Sequence, residues 1–514
     1  MDSIFSGGVK MVTKNEQQGK KVDGSEGSAG KQALDSTPKP KPCTDLGNAE
    51  RLIEKYGREI RYCPDTKRWY VYRIGRWVPD SGGRTHRMAF EVARCIFEEA
   101  KDENLSSKTR DELKKHAKKS SSKGPIRAMI DLARWLPGIS LPVGQLDRDP
   151  WLLNCQNGTL DLRTGELKPH DPNDLITKML PVDYDPDAVC PLWECIIARI
   201  MDGDEDKIGF LKRVLGYGMT GLISEQCMFV FYGSGANGKS TILKIYRELL
   251  AGYAMHTTTA SLLGSNGSPI RNDLARLNGA RFVSAVEIGM GKKLDEALIK
   301  QLTGGDQVTA RFLYNEFFEY NPEFKLFIAA NHKPDIQGVD HGIWRRIHLI
   351  PFDVTIPSEA IDRDLPNKLR GELPGILTWA IRGCREWQEQ GLNVPNSIAN
   401  ATAAYRAEMD IVAEFLNDRC SLQTSEKTAL GVLYDAYKKW ADNACQDVVG
   451  KKILGNLMRQ KGYSQSNRGG MRFWNDIKLN TEVNSEEEYS DECGSQTEYF
   501  AISTPCSEPR GWSN

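Results

Sequence analysis

A short loop of small residues constrains the fold of this 514-residue chain more than any other feature. Residues 233–240 read GSGANGKS and satisfy the pattern G-x-x-x-x-G-K-[ST]. The apolar run from Cys227 to Tyr232 precedes the loop, and the amphipathic segment STILKIYRELL follows it. This order of strand, loop and helix predicts an anion site, because backbone N–H groups and the positive end of a helix then point at the same place.

The anion predicted for this loop is the polyphosphate of ATP, bound together with Mg²⁺. Lys239 would reach the outer phosphates, and the hydroxyl of Ser240 would coordinate the metal. A chance match of the octet is the alternative reading, and the flanking strand and helix count against it. The predicted nucleotide-binding residues are Gly233, Ser234, Gly235, Ala236, Asn237, Gly238, Lys239, Ser240 and Thr241.

Three later segments carry polar side chains that hydrolysis of a nucleotide would need. The segment ARFVSAVEIG reads as a buried strand ending in Glu287, which would bind the metal or activate water. FKLFIAANHKPD is another apolar strand and ends at Asn331, whose amide suits a γ-phosphate or the attacking water. GIWRRIHLIPF places Arg345 and Arg346 before a further strand. Each would be an ordinary turn or surface residue alone, but their order favours catalytic roles beside Lys239.

Composition narrows the class of protein. The 68 Lys and Arg nearly balance 69 Asp and Glu, so nucleic-acid contacts would have to rest on local basic surface. The segments from Lys108 to Arg127 and from Lys451 to Arg472 are basic, and each is either such a surface or a solvated helix face. Cysteines without metal-binding spacing favour a reducing compartment. Without a long apolar segment or a secretory signal, we expect a cytoplasmic protein that contacts no membrane.

Changes in composition along the chain predict five segments. Polar, Gly-rich and acidic stretches mark the two ends, and the order helix, helix, hairpin near the carboxyl terminus suits a winged-helix fold or, alternatively, a small helical lid. The predicted segments are a disordered arm at 1–45, an N-terminal α+β domain at 46–224, an α/β nucleotide-binding core at 225–390, a winged-helix-like domain at 410–480 and an acidic flexible tail at 481–514.

Longer motifs resemble a known family over about residues 46–480. The motifs are NGTLDLRTGELKPHDPNDLITKMLPVDYDPDAVCPLW, GSGANGKST, VEIGMGKKLDEALIKQLTGGDQVTARFLY, AANHKPDIQGVDHGIWRRI and LYDAYKKWA. They are similar to superfamily 3 DNA helicases of the phage, plasmid and poxvirus primase-helicase family. The resemblance implies an α/β fold with a P-loop, AAA+-like ATPase core. It also implies a homo-hexameric ring with ATP bound between neighbouring subunits.

The resemblance assigns a role to each matching residue. Lys239 and Ser240 would form the phosphate and metal site, Glu287 the second acidic motif, which also binds the metal, and Asn331 the polar sensor. One of the two arginines before the last strand would be a finger that reaches the γ-phosphate held by the neighbouring subunit. A single carboxylate stands at 287, where some relatives carry two adjacent ones, so its role as a base is less firmly implied than the role of Lys239.

A further segment, KQLTGGDQVTARFLYNEFFEYNPEFK, predicts a turn at residues 304–306 and a hairpin after it. In similar helicases a hairpin from this region lines the central pore and contacts backbone phosphates. Lys300 and Arg311 match the family motif and are therefore implied to bind single-stranded DNA. The alternative is that Arg311 pairs with Asp306 or Glu319 and braces the hairpin.

These observations together predict an ATP-dependent ring helicase that unwinds DNA for the replication of a phage, plasmid or integrated mobile element. The roughly 105 residues expected to be ordered before Trp151 contain no carboxylate cluster suited to two-metal primer synthesis, so a separate primase is expected. The alternative is a nucleotide-gated ring that loads on DNA without processive unwinding. A small-molecule kinase fits neither the chain length nor the order of motifs.

Overall fold

The computed structural model describes residues 41–263, 272–286, 292–313, 316–336, 338, 341–444 and 448–480. Most of the predicted disordered arm and all of the predicted acidic tail lie outside these ranges. The chain divides into two compact units, Met1–Gly57 with Gly83–Pro137, and Arg58–Gly82 with Gly138–Asn514. This division differs from the predicted segments, whose boundaries stay predictions. Of the helices in the described ranges, none has the length and apolar character needed to span a bilayer.

The first unit consists of helices. They are α1 Asp45–Tyr56, α2 Arg84–Glu99, α3 Ser107–Ser120 and α4 Lys123–Ala133. Side-chain caps fix two of the starts: the hydroxyls of Thr44 and Ser106 accept hydrogen bonds from backbone N–H groups in the first turns of α1 and α3. Buried side chains at Ile96 and Leu113 hold α2 against α3.

The second unit begins with two small antiparallel sheets. The strands of the first sheet are β1 Ile60–Cys63, β2 Arg68–Arg73 and β3 Arg76–Pro79, and those of the second are β4 Leu152–Cys155, β5 Gly158–Asp161 and β6 Glu166–Lys168. The predicted turn at Gly75 joins β2 to β3, and the predicted turns at residues 157–158 and 164–165 join the strands of the second sheet. These predictions are confirmed.

A larger sheet with helices follows. Its region contains the helices α5 Pro191–Ile200, α6 Glu205–Gly218, α7 Lys239–Leu250, α8 Asn272–Ala275, α9 Glu296–Gly304, α10 His341–Trp344, α11 Leu365–Gly371, α12 Leu373–Gln390 and α13 Asn396–Glu408. Its strands are β7 Met228–Tyr232, β8 Ala254–Thr258, β9 Phe282–Val286, β10 Val308–Ala310, β11 Phe318–Tyr320, β12 Lys325–Ala330 and β13 Ile347–Pro351.

Five of these strands form one parallel sheet in the order β13-β7-β12-β9-β8. All six residues of β12 are buried, as expected for a central strand covered on both faces. The register pairs Tyr232 at the end of β7 with Ala330 at the end of β12 and with Pro351 at the end of β13. The carboxyl ends therefore share one edge. The chain is a mixed α/β protein built on a parallel sheet, as predicted.

The last described part of the chain forms a small α+β region. Its elements are α14 Ile411–Arg419, β14 Cys420–Ala429, α15 Leu430–Asn443, α16 Lys451–Gln460, β15 Gln465–Arg468 and β16 Met471–Leu479. The strands form an antiparallel sheet in the order β14-β16-β15, and Phe415, Tyr437 and Trp474 are buried between sheet and helices. The sequence analysis did not predict β14, because its polar residues do not alternate and a bulge interrupts its pairing after Leu422.

Two glycines let α6 and α12 approach closely beside the large sheet. A Cβ added to Gly216 would lie 2.1 Å from the backbone nitrogen of Cys384, and one added to Gly383 would lie 2.1 Å from the carbonyl oxygen of Lys212. Both distances are to backbone atoms, which cannot move without shifting a helix. The absence of side chains at these two positions therefore fixes the spacing of the helices.

We expect Gly216→Ala to destabilise the second unit by about 2–3 kcal/mol, because the added methyl group overpacks a helix contact that cannot relax. Gly209→Ala in the same helix is the matched control, since its Cβ would approach only the end of the Arg213 side chain, at 3.2 Å. That control should be neutral or stabilising by up to about 1 kcal/mol, because alanine favours helix. Denaturant unfolding measures both; equal effects would contradict this account.

A histidine lies among aromatic rings in β13. The His348 imidazole stacks on Phe229 with ring centres 5.7 Å apart and meets Phe210 edge-on at 6.0 Å. Burial lowers the pKa of His348 to about 4. Since the folded chain binds this proton more weakly than the unfolded chain does, His348 stabilises the fold above about pH 6.5, and this contribution is lost as the pH falls towards 4.

His348→Leu removes the titrating group and keeps an apolar side chain of similar volume. Between pH 7 and pH 5, the wild-type protein should lose about 1–2 kcal/mol more stability than the variant. Denaturant unfolding of the two proteins at both pH values gives the difference. Parallel pH profiles would show that His348 is accessible to protons in the folded protein.

Candidate functional site

The loop predicted to bind phosphates connects β7 to α7 at the carboxyl edge of the parallel sheet. Gly238 caps α7 with φ 83°, a left-handed conformation that glycine adopts without steric cost. Ala236 is also left-handed, with φ 47°, which costs a residue with a side chain about 1 kcal/mol. A hydrogen bond of 2.7 Å from the Ile356 N–H to the Ala236 carbonyl oxygen holds this conformation.

Lys239 is the first residue of α7, and its side chain folds back onto the loop. The ammonium Nζ donates hydrogen bonds to the Gly233 carbonyl oxygen at 2.7 Å and to Asn237 Oδ1 at 2.8 Å. The residue is only 3% exposed, and burial lowers the pKa of the Lys239 ammonium. The cation is thus positioned inside the loop and bound to neutral acceptors alone, an arrangement that a polyphosphate can compete with.

Asn237 connects Lys239 to the neighbouring strand. Its side chain is 3% exposed, and its Nδ2 donates to the Phe352 carbonyl oxygen at 3.1 Å while its Oδ1 accepts from Lys239. Phe352 directly follows β13, and its own N–H donates to the Tyr232 carbonyl oxygen at 2.7 Å. The sequence predicted Asn237 as a nucleotide ligand, whereas the structure shows its amide side chain holding the loop against β13.

The hydroxyl-bearing residues of the motif are more accessible. Ser234 is exposed in the loop, Ser240 is exposed at the second position of α7, and Thr241 is partly buried. Ser240 is thus open to solvent where the resemblance implies a metal ligand. In the described ranges, no three His, Cys, Asp or Glu side chains are grouped so that they could hold a metal ion on their own.

Asn331 lies beside the loop. It follows Ala330, whose carbonyl oxygen accepts a hydrogen bond of 3.3 Å from the Gly233 N–H, and its side chain is exposed. Glu287 follows Val286, the last residue of β9, but lies outside the described residues. The structure therefore brings Asn331 to the phosphate-binding motif, whereas the role of Glu287 stays a prediction.

The two arginines stand at the other edge of the sheet. Arg345 and Arg346 precede β13, which runs parallel to β7, and the Arg346 carbonyl oxygen accepts a hydrogen bond of 2.6 Å from Met228 at the start of β7. The length of β7, about 16 Å, separates them from the loop, farther than an arginine side chain extends. Arg345 is exposed and donates to Gln226 Oε1 at 3.0 Å. Within one chain, therefore, Arg345 and Arg346 are too far from Lys239 to contact the same phosphate.

The predicted hairpin is confirmed, because β10 pairs with β11 in antiparallel register. Lys300 lies on α9 and Arg311 follows β10, and both are partly buried. The guanidinium of Arg311 lies 4.6 Å from the ring centre of Phe317. Neither Asp306 nor Glu319 pairs with Arg311 in the described part of the chain, so bracing by an ion pair, the alternative above, is wrong.

Sequence reasoning missed the apolar tip of this hairpin. Phe312, Leu313 and Phe317 are 42%, 54% and 59% exposed, and the ring of Phe312 stacks on Phe318 at 5.7 Å. The signal was present in the letters RFLYNEFFEY, where aromatic residues are too dense for an ordinary solvated turn.

Comparisons with known proteins agree with these observations. Residues 49–202 match the family described as D5 N terminal like, and residues 231–346 match a family of unknown function, DUF5906. A protein of Acanthamoeba polyphaga mimivirus that is named as a candidate helicase is 27% identical over 438 residues, which is 76% of this chain and 45% of that protein. These matches agree with the resemblance to superfamily 3 primase-helicases that the sequence motifs indicated.

Further relatives come from other large DNA viruses. One from Frog virus 3, named as a candidate helicase, is 26% identical over 46% of this chain and 26% of its own length. One from African swine fever virus, named as a candidate primase, is 22% identical over 57% of this chain and 34% of its own length. The chain spans less than half of the length of these relatives.

Among solved structures, the apo structure of the NrS-1 C-terminal region is similar to this chain. The match covers 86% of this chain and 100% of that one, with 12% sequence identity and a TM-score of 0.47.

The buried contacts of Asn237 lead to a stability prediction. Asn237→Ala removes the donor to the Phe352 carbonyl oxygen and one acceptor of Lys239, so we expect the free energy of unfolding to fall by about 1–3 kcal/mol. Asn456→Ala is the matched control, because Asn456 is exposed on α16 and bonds only Arg459. Thermal unfolding should separate the two variants. Equal melting temperatures would contradict the proposed anchoring of the loop.

Proposed function

We propose that this chain is the motor of an ATP-dependent DNA helicase that works as a ring, with a nucleotide site shared between neighbouring subunits. The observation that carries the proposal is the placement of Lys239 and Asn331 at one edge of the parallel sheet and of Arg345 and Arg346 at the other. Such a split completes a hydrolytic site only when a second copy contributes the opposite edge.

The residues at the carboxyl edge suit ATP. The loop offers backbone N–H groups at the start of α7, and Lys239 already stands inside it with only neutral acceptors as partners. Ser240 and Glu287 would hold Mg²⁺, which neutralises charge on the phosphates when bound. Asn331, beside Gly233, would orient the attacking water or the γ-phosphate through its amide.

The residues at the opposite edge would act on the next subunit. Arg345 is exposed and bound to a neutral amide, so a negatively charged phosphate from a neighbour can replace that partner. An arginine supplied in this way contributes about 10³–10⁵ in rate in other nucleotide hydrolases. A heterologous contact that joins one edge to the other generates a closed ring, for which we propose six copies.

The hairpin of β10 and β11 is the proposed contact with single-stranded DNA in the pore. Lys300 and Arg311 would contact backbone phosphates. The exposed rings of Phe312 and Phe317 add a means of stacking bases, which accepts any sequence. Such a combination suits a motor that must move along DNA irrespective of its sequence.

The region from α14 to β16 is the proposed winged-helix domain. Its order of helix, strand, two helices and hairpin, with an antiparallel sheet, supports this assignment. The exposed basic residues Lys452, Arg459, Arg468 and Arg472 on α16 and the hairpin would contact phosphates. We propose that this domain binds DNA without reading its sequence.

The names of the viral relatives support a role in DNA replication, either of a large DNA virus or of a phage, plasmid or integrated element. We propose that a separate protein supplies priming, because residues 46–150 carry no carboxylate cluster suited to two-metal primer synthesis. The alternative activity, a ring that loads on DNA without unwinding it, differs in one observable: it would hydrolyse ATP but would not separate the strands of a fork.

Lys239→Ala, Arg345→Ala and Arg346→Ala test separately the residues at the two edges of the sheet. The lysine variant should lose ATP hydrolysis, and at least one arginine variant should lose it by about 10³-fold or more. An equal mixture of the lysine variant with that arginine variant should regain activity at about one interface in four, since those interfaces combine two intact halves.

The control for these variants is Arg94→Ala, an exposed arginine on α2 in the first unit, which should leave hydrolysis unchanged. A dilute monomer that hydrolyses ATP at the full rate would disprove the shared site. A forked DNA substrate, assayed in parallel with ATP hydrolysis, distinguishes the helicase from the loading ring, because only the helicase releases a displaced strand.

A further inference from the structure

A group of exposed basic side chains covers the corner between α3 and α4 in the first unit. We name it the α3–α4 basic surface; its members are Lys115, Lys118, Lys119, Lys123 and Arg127, all of them exposed. No acidic residue occurs between positions 112 and 131 of the sequence. Lys115 and Lys119 stand one helical turn apart, about 6 Å along the axis.

None of these five residues forms an ion pair within the described part of the chain. Other basic residues of the same unit do have carboxylate partners. The ion pairs are Arg51 with Glu99 at 2.8 Å, Lys101 with Glu98 at 2.8 Å, Lys114 with Asp111 at 3.5 Å, and Arg134 with Asp131. The unit thus pairs several of its other basic residues with carboxylates, whereas the α3–α4 basic surface has no such partner among the described residues and repels itself until an anion binds.

The opposite face of α3 is fixed by a buried polar network. Asn48 Nδ2 on α1 donates to Ser120 Oγ at 2.9 Å, and Asn48 Oδ1 lies 2.8 Å from His116 Nε2. Leu113 and Ala117 on the same face are 1% and 0% exposed. Because α3 cannot rotate without breaking these contacts, its lysines are presented together in one fixed direction.

We propose that the α3–α4 basic surface binds the sugar-phosphate backbone of a nucleic-acid strand, outside the motor sheet. All five members of the surface are cationic, whereas the centre of a protein interface is rich in large apolar side chains; the exposed Phe97, Leu132 and Trp135 of the same unit are not members of it. Lysines act as point charges that tolerate a variable phosphate geometry, so the contact is independent of sequence. It needs neither ATP nor hydrolysis, which makes it separable from the function proposed above.

The first test is lysine acylation of the full chain, read by mass spectrometry without nucleotide. Duplex and single-stranded oligonucleotides are added in separate arms, and polyglutamate of equal charge in a third. Lys115, Lys118, Lys119 and Lys123 should be protected several-fold by one or both oligonucleotides, whereas Lys101 and Lys368, which pair with carboxylates, should not. Unchanged acylation, or equal protection by polyglutamate, would overturn the assignment to nucleic acid.

The second test compares two triple variants in the Lys239→Ala background, where hydrolysis is absent. One is Lys115→Gln with Lys118→Gln and Lys119→Gln; the control is Lys101→Gln with Lys168→Gln and Lys368→Gln, three lysines with carboxylate partners. In the first, the slope of log affinity against log salt should decrease by up to about 2.7 on duplex DNA and about 2.1 on single strands. Equal decreases in both variants would reduce the effect to net charge and refute the proposal.

Discussion

The strands β7, β9 and β12 run in the same direction, and this single constraint places most of the proposed site. Residues that follow parallel strands leave the sheet at one edge, where Gly233 and Asn331 meet. Residues that precede such strands necessarily stand at the other edge, which is where Arg345 and Arg346 are found. The parallel arrangement thus brings the phosphate-binding residues together at one edge and keeps the arginines at the other. In the proposed ring, a second copy of the chain would place its arginines beside the phosphate-binding residues of the first.

The loop at the carboxyl edge is held by contacts that involve few residues. Asn237 bonds both Lys239 and the carbonyl oxygen after β13, and Ile356 bonds Ala236 in its unfavourable left-handed conformation. Without contacts from outside the loop, the left-handed backbone at residue 236 would favour glycine. Support from the segment after β13 lets it keep a methyl side chain there, at a cost of about 1 kcal/mol.

The sequence predicted what depends on local pattern. The apolar runs around Val230 and Ile328 gave buried strands, the octet gave the loop, and the alternation after residue 304 gave the hairpin. It did not predict β14, which owes its pairing to β16 some 50 residues later, since polar strands of this kind are stabilised by their neighbours more than by their own residues. The sequence also did not predict that the buried Asn237 side chain anchors the loop. A phosphate-binding motif specifies the residue at this position but not the orientation of its side chain.

The hydrogen bond between Arg346 and Met228 has a consequence for timing in an assembly. One short, stiff strand, β7, has the arginine pair docked at its beginning and the nucleotide loop attached to its end. β7 has only five residues and is paired with a strand on each side, so its two ends move together. In the proposed ring, a displacement of the nucleotide loop would therefore be transmitted to Arg345 and Arg346 of the same chain through the backbone of β7.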